Sequence, residues 1–156
     1  MMTLSQAERV IYTRIGQFID RSKYMVGADI HLIGQTEPLG KVETGQPDID
    51  VIYENSPPHT PPKNKLWCKV YIDYANSLVA ELADNPLVRH NGLIQIQCFA
   101  PLSSGTLPLL NLCDEWLLLL QSFSEDDLEI HTAHAPARID DLNFLGRIIR
   151  AEFRVN

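Results

Sequence analysis

The stretch LPLLNLCDEWLLLLQSF, Leu107 to Phe123, limits what this chain can become more than any other. At helical spacing Leu109, Leu112, Cys113, Trp116, Leu120 and Phe123 form one stripe, which predicts a helix over 106–123. Leu110, Leu117, Leu118 and Leu119 widen that stripe almost around the helix. A helix apolar on most sides is usually buried on most sides. Asn111, Asp114 and Glu115 interrupt the run, which falls short of the ~20 apolar residues a bilayer span requires. The segment therefore needs a sheet beneath it and, in a two-layer domain, cover from another subunit. Leu110 and Leu118, off the core stripe, are the candidate contacts.

Period-two alternation supplies the sheet. In Leu93–Ala100, Ile94, Ile96 and Cys98 share one face while Gln95, Gln97 and Phe99 share the other. Asn91-Gly92 just before it is a turn signal of the tight-hairpin type, and Pro101 to Gly105 breaks the strand. In the closing segment Ile149, Ala151, Phe153 and Val155 face inward, and Arg150, Glu152 and Arg154 face outward. Leu128, Ile130 and Thr132 alternate with Glu129, His131 and Ala133 after the acidic turn Ser124 to Asp127. Leu66, Cys68, Val70 and Ile72 make a core face opposite Trp67, Lys69, Tyr71 and Asp73. Two aromatics beside charge, Trp67 and Tyr71, suit a subunit contact as well as they suit solvent. Ser77 to Ala83 reads equally as a short strand or one helical turn.

A first helix starts at a capping box, with Ser5 as N-cap and Glu8 reciprocating. Ala7, Ile11, Ile15, Phe18 and Ile19 line its apolar face, and it ends near Arg21. Glycine and proline punctuate Gly27 to Pro47, which reads as a long surface loop, a ragged hairpin or an ordered arm. Between Asp50–Glu54 and Leu66–Asp73, Pro57, Pro58, Pro61 and Pro62 exclude a central strand, because proline has no N–H for a ladder. That block is extended and polyproline-like, either a stiff projecting loop or a passive connection at the sheet edge. The order helix, strands, helix, strands reads as a single α+β domain over 1–156, one sheet with two helices packed on it.

The formal charge of −7 argues against a duplex-binding module, which needs a basic stripe to neutralise phosphates. Cys68, Cys98 and Cys113 sit far apart in sequence at apolar positions and read as buried thiols. Asp48, Asp50 and Glu54 lie near one strand, but the acid-x-lysine pair of a metal-dependent nuclease is missing, since Trp67 stands two residues before Lys69. His131 and His134 project to opposite faces of a regular strand and cannot chelate one ion. Phosphate-loop, dinucleotide and nucleophile-elbow motifs are absent. The residues thus point to no catalytic, metal or cofactor site. MMTLSQAERVIY holds no apolar signal core, which points to synthesis in the cytoplasm.

The order of landmarks adds one more reading. A helix near Ser5 leads to Asp50-Val51-Ile52-Tyr53-Glu54-Asn55, then a proline-containing loop and an aromatic-led strand at Trp67. Arg89 to Gly92 leads into Leu93-Ile94-Gln95-Ile96-Gln97, then Pro101 with Gly105, a long helix and the basic-amphipathic strand Arg147 to Val155. This series resembles the tail terminators, minor tail proteins of long-tailed bacteriophages, from about Ile49 to the C-terminus plus the first helix. Ser56-Pro57-Pro58 stands where that family has an aromatic, and the 27–47 segment is longer than the family leads one to expect. The resemblance implies a mixed, mainly antiparallel sheet and a virion protein without catalysis or cofactor. It also implies a homohexameric ring on the tail tube protein, meeting the head–tail connector protein, with DNA passing through its lumen unbound. Arg150 and Arg154 join Trp67, Tyr71, Leu110 and Leu118 as candidate interface residues. A small cytoplasmic accessory binding protein is the alternative.

Overall fold

The computed structural model describes residues 2–25, 49–57, 60–75, 78–79 and 88–156, with the backbone alone described at 18–25 and 78–79. In chain order the elements are α1 (Leu4–Met25), β1 (Asp50–Tyr53), β2 (Trp67–Tyr74), β3 (Leu78–Val79) and β4 (Val88–Pro101). There follow α2 (Leu107–Leu120), β5 (Ser124–Glu125), β6 (Leu128–Ala133), β7 (Ala137–Ile139) and β8 (Phe144–Val155). The expected 27–47 insertion lies outside the described residues.

The strands run in the order β1-β2-β4-β8-β6-β5, with β3 added to β4 and β7 to β8. All pairs are antiparallel except β1 with β2, which is parallel. The architecture is therefore α+β, a mixed and mainly antiparallel sheet carrying two helices. The parallel pair accounts for the prolines. A chain leaving β1 at Tyr53 must travel back before it can enter β2 at Trp67 in the same direction, and no tight hairpin can make that return. An extended, ladder-incompetent segment suits it.

Alternation divides the sheet into two chemically different faces. On the inner face Cys68, Val70, Ile94, Ile96, Cys98, Ile149, Ala151, Phe153 and Val155 are almost wholly buried, in one cluster with both helices. From α1 come Ala7, Ile11 and Ile15; from α2 come Leu109, Leu112, Cys113, Trp116, Leu119 and Leu120. Arg14 joins the helices: its Nε donates to Leu119 O at 2.8 Å, satisfying a carbonyl at the end of α2, and its guanidinium lies 4.6 Å from the Phe123 ring centroid. Against the sheet, Tyr12 of α1 meets Tyr53 edge-on with centroids 5.3 Å apart, and the Tyr74 hydroxyl donates to Glu8 Oε1 at 2.8 Å.

Several local expectations change. The capping box sits two residues earlier than Ser5-Glu8. Thr3 Oγ1 accepts from Gln6 N at 3.2 Å, and Gln6 Oε1 accepts from Thr3 N at 2.8 Å, so Thr3 is the N-cap. The earlier start lets Met2 pack into the core. The helix also continues to Met25 rather than ending near Arg21. Leu119, expected to widen the α2 stripe, belongs to the core, and α2 stops at Leu120. Leu78–Val79 is a strand, paired with Val88 and Arg89.

Asn91-Gly92 is not a turn but part of a continuous β4, with Gly92 opposite both Tyr74 and Phe153. The glycine is needed for space. A Cβ there would stand 2.6 Å from Phe153 Cε1 and 2.8 Å from the Asp73 carbonyl oxygen. Gly146 on β8 plays the same part on the other face, opposite Phe99, where a Cβ would come within 3.2 Å of the ring. Each long strand thus carries one glycine beneath an aromatic of the other. In β6 one extra residue at His131 forms a bulge between the Ile130 and Thr132 pairings. The bulge returns Ala133 to the core side in place of Thr132. The acidic turn closes the β5–β6 hairpin, with Asp126 at φ 52 as tight two-residue turns require.

Gly92→Ala is expected to lower the unfolding free energy by about 2–3 kcal/mol, because Phe153 and the Asp73 carbonyl cannot both yield. Gly16→Ala, in the α1 interior where a Cβ would meet nothing within 4 Å, should instead add about 0.5–1 kcal/mol. Urea melts of both variants beside the parent check the two signs.

Candidate interaction surfaces

The six candidate residues fall into three places. Trp67 is not a contact residue: only 2% of it is exposed. It stacks on Phe99 with centroids 4.3 Å apart and meets Phe144 edge-on at 5.1 Å, all on the outer sheet face at one end. Gly146 makes the room for Phe99, and Ile139 closes the cluster from β7. The Trp67 indole N–H has no hydrogen-bond partner among the described residues, a polar cost carried by the aromatic packing. The sequence signal was present in Phe99 and Phe144, one on a strand face and one at a strand start. Only the register brings both to Trp67.

Tyr71 and Arg150 do come together. Tyr71 pairs with Gln95, and Gln95 with Arg150, so the three form a row across β2, β4 and β8 on the outer face. Lys69–Gln97–Ile148 and Asp73–Leu93–Glu152 form the neighbouring rows. The Gln95 amide donates to Asp73. No described helix covers this face. Its middle is a lattice of amides, a phenol and single charges.

Arg154 is outward as expected but already engaged. Its Nε and Nη2 both reach Glu129 Oε2, at 3.0 and 2.7 Å, across the β6–β8 pair. Glu152 between the arginines accepts from His134 Nε2 at 3.0 Å when the imidazole carries its proton there. Arg150 is therefore the better probe of the outer face.

Leu110 and Leu118 lie on the helix layer, on the other side of the sheet from Tyr71 and Arg150. Leu118 is 67% exposed and Leu110 is half-buried. Leu107, 69% exposed and three turns before Leu118, shares its face, with the exposed Asn111 and Asp114 between them. The eleven-residue spacing of Leu107 and Leu118 was legible in the sequence, and both lie in the helix expected over 106–123, but the stripe drawn from Leu109 onward left Leu107 out.

The proline loop contributes a cleft. Pro57 and Pro61 face Ile52, Lys69 and Tyr71 across an open volume of 410 Å³ at the β1 edge. Lys69 Nζ sits 5.3 Å from the Trp67 ring centroid on the same side. Glu54 ends β1 by placing Oε1 3.0 Å from Ile72 N, where the next strand carbonyl would be. Asp50 pairs with Lys65 at 3.2 Å, and Asp48 lies outside the described residues. Asp50 and Glu54 thus serve the β1–β2 junction. Among the described residues no group of three or more His, Cys, Asp or Glu side chains is arranged to hold a metal ion.

A solved structure shares this fold over nearly the full length of both chains, with a TM-score of 0.57 at 14% identity, covering 96% of this chain and 95% of the other. At that identity the likeness concerns the fold alone. No family model and no curated protein matches the chain.

Three phenols tie α1 and β1 to the sheet edge, and burial is the leading cause that raises the pKa of each. For Tyr74 the hydrogen bond to Glu8 adds to that rise, and for Tyr12 the charge of Glu8 does. A phenol raised in the folded state contributes stability that is complete below its unfolded value near 10 and is lost as pH climbs through the folded value. The urea midpoint is therefore expected to fall above about pH 10. Tyr74→Phe should flatten part of that fall, read from melts across pH 8 to 11.

Proposed function

We propose that the chain is a structural virion protein of a long-tailed phage, one subunit of a hexameric ring. The ring caps the tail tube, ends its polymerisation and presents a surface to the head-side connector. Beyond the order of sequence landmarks, the reading rests on one observation, the opposite placement of two unlike surfaces. The exposed leucines of α2, Leu107 and Leu118, lie on the helix side, and the Tyr71–Gln95–Arg150 row lies on the outer sheet face. A closed ring with a single rotation axis uses heterologous contacts, which need two different patches on one subunit rather than one self-complementary patch. In such a contact the exposed leucines of one copy meet the Tyr71 ring and the aliphatic stem of Arg150 on the next, with the amides and the guanidinium at the rim.

The charge of −7 also fits. DNA threading a lumen must not be held there, and an acidic subunit gives phosphates no purchase. The tube protein and the connector are the partners this reading requires.

Mass measurement and electron microscopy of the purified chain test it. A six-fold ring is the expected particle, formed alone or on addition of tail tubes. A monomer that neither self-associates nor binds tubes at any concentration removes the proposal and leaves the accessory binding protein.

Leu118→Glu and Arg150→Glu, on separate surfaces, should each raise the concentration for half-assembly by tenfold or more, about 1.4 kcal/mol per contact. Circular dichroism should stay unchanged, since both side chains are exposed. In infected cells either variant should give tails of uncontrolled length and heads without tails.

A further inference from the structure

The three cysteines, which the ring does not use, converge between the sheet and α2. Cys68 and Cys98 are directly opposed residues of β2 and β4. Ala75 N donates to Asn91 O at 2.8 Å, so 75 and 91 form a hydrogen-bonded pair. Pairs alternate along an antiparallel ladder, which makes Cys68–Cys98 a non-hydrogen-bonded pair, the kind whose side chains lie closest. Their Sγ atoms are 3.8 Å apart and both thiols are free. A disulfide needs about 2.05 Å between sulfurs and Cα atoms roughly 4.4–6.8 Å apart, a range that such strand pairs meet.

From the helix, Cys113 is hydrogen-bonded to Cys98, and Trp116 Nε1 donates to Cys68 Sγ at 3.4 Å. All three thiols are fully buried. Burial pushes the Cys98 thiol up, with hydrogen bonds to Cys113 and then Cys68 adding to the effect. While α2 is docked the cluster stays sealed.

We propose that Cys68 and Cys98 are a disulfide-forming site, oxidised to a cross-strand bridge by a small two-electron oxidant when α2 lifts from the sheet, with Cys113 left as a thiol. With an azodicarboxamide as oxidant, one thiolate adds to the N=N bond and forms an S–N bond. The second thiolate then attacks that sulfur, the S–N bond breaks, and the S–S bond forms. The two electrons and two protons end on the hydrazine.

The test uses the full chain and diamide, in urea kept below the unfolding midpoint so that α2 opens transiently. Alkylation, digestion and mass spectrometry then read the linkage. The expected product is monomeric in covalent terms, two hydrogens lighter, with the Cys68 and Cys98 peptides joined and Cys113 alkylated. Its urea midpoint should be higher than that of the reduced protein, because the bridge closes a loop between residues 30 apart, and a reducing agent should reverse the shift. Cys113→Ala should form the same bridge. A linkage to Cys113, links only between chains, or three alkylated thiols after prolonged oxidation would overturn the proposal.

Discussion

The antiparallel pairing of β4 with β8 positions everything else. It runs without a break from His90 opposite Val155 to Pro101 opposite Phe144. Because its register is fixed, the alternation of apolar and polar residues in both strands coincides, and each row across the pair is wholly inner or wholly outer. A slip of one residue would turn Ile149, Ala151, Phe153 and Val155 outward together. The two glycines reinforce this register. Gly92 accepts only the Phe153 ring above it and Gly146 only Phe99, so a slipped pairing would put a ring over a Cβ on both faces. On this frame β2 adds at one side and β6 with β7 at the other, and α2 lies across the inner face.

How much of this the sequence disclosed depends on the range of the forces involved. Periodicity is local, so the inner faces of β2, β4 and β8 and the core stripe of α2 were legible, as was the α+β class. Register is not local. Trp67 has the spacing of an outward residue and does point outward. Its burial depends on Phe99 and Phe144, supplied by strands far along the chain. Arg154 likewise reads as a free outer charge until β6 brings Glu129 beside it. Asn91-Gly92 was read as a turn because the pair favours one, whereas here the glycine answers to a neighbouring ring. At the start of α1 two capping boxes overlap, Thr3 with Gln6 and Ser5 with Glu8. Composition alone ranks them equally, and the burial of Met2 favours the first.

The candidate surfaces show the same division. The sequence separated core from non-core in α2, and Leu118 stands where that pattern placed it. It could not tell that the leucines and the Tyr71–Arg150 row occupy opposite sides of the molecule, because this follows from which sheet face the helices cover. That geometry is also what sorts a set of separate exposed residues onto two opposite surfaces. The proline loop belongs with the second of them. Its return path to β2 sets Pro57 and Pro61 over Tyr71 and gives the polar row a wall at the β1 edge.

The position of β8 has a kinetic consequence. Among the described elements the strand at the centre of the sheet is the last in chain order, so it emerges after its neighbours β4 and β6. Until it arrives, β4 has no partner along its whole length on that side, and the inner residues of β2 and β4 stay uncovered with α2 nearby. Pairings that join distant parts of a chain form slowly, and an unpaired apolar strand invites association with other nascent chains. Folding of this sheet is thus gated by the arrival of β8. A chain interrupted before Phe144 has no means of assembling a partial sheet that could pass for a finished one.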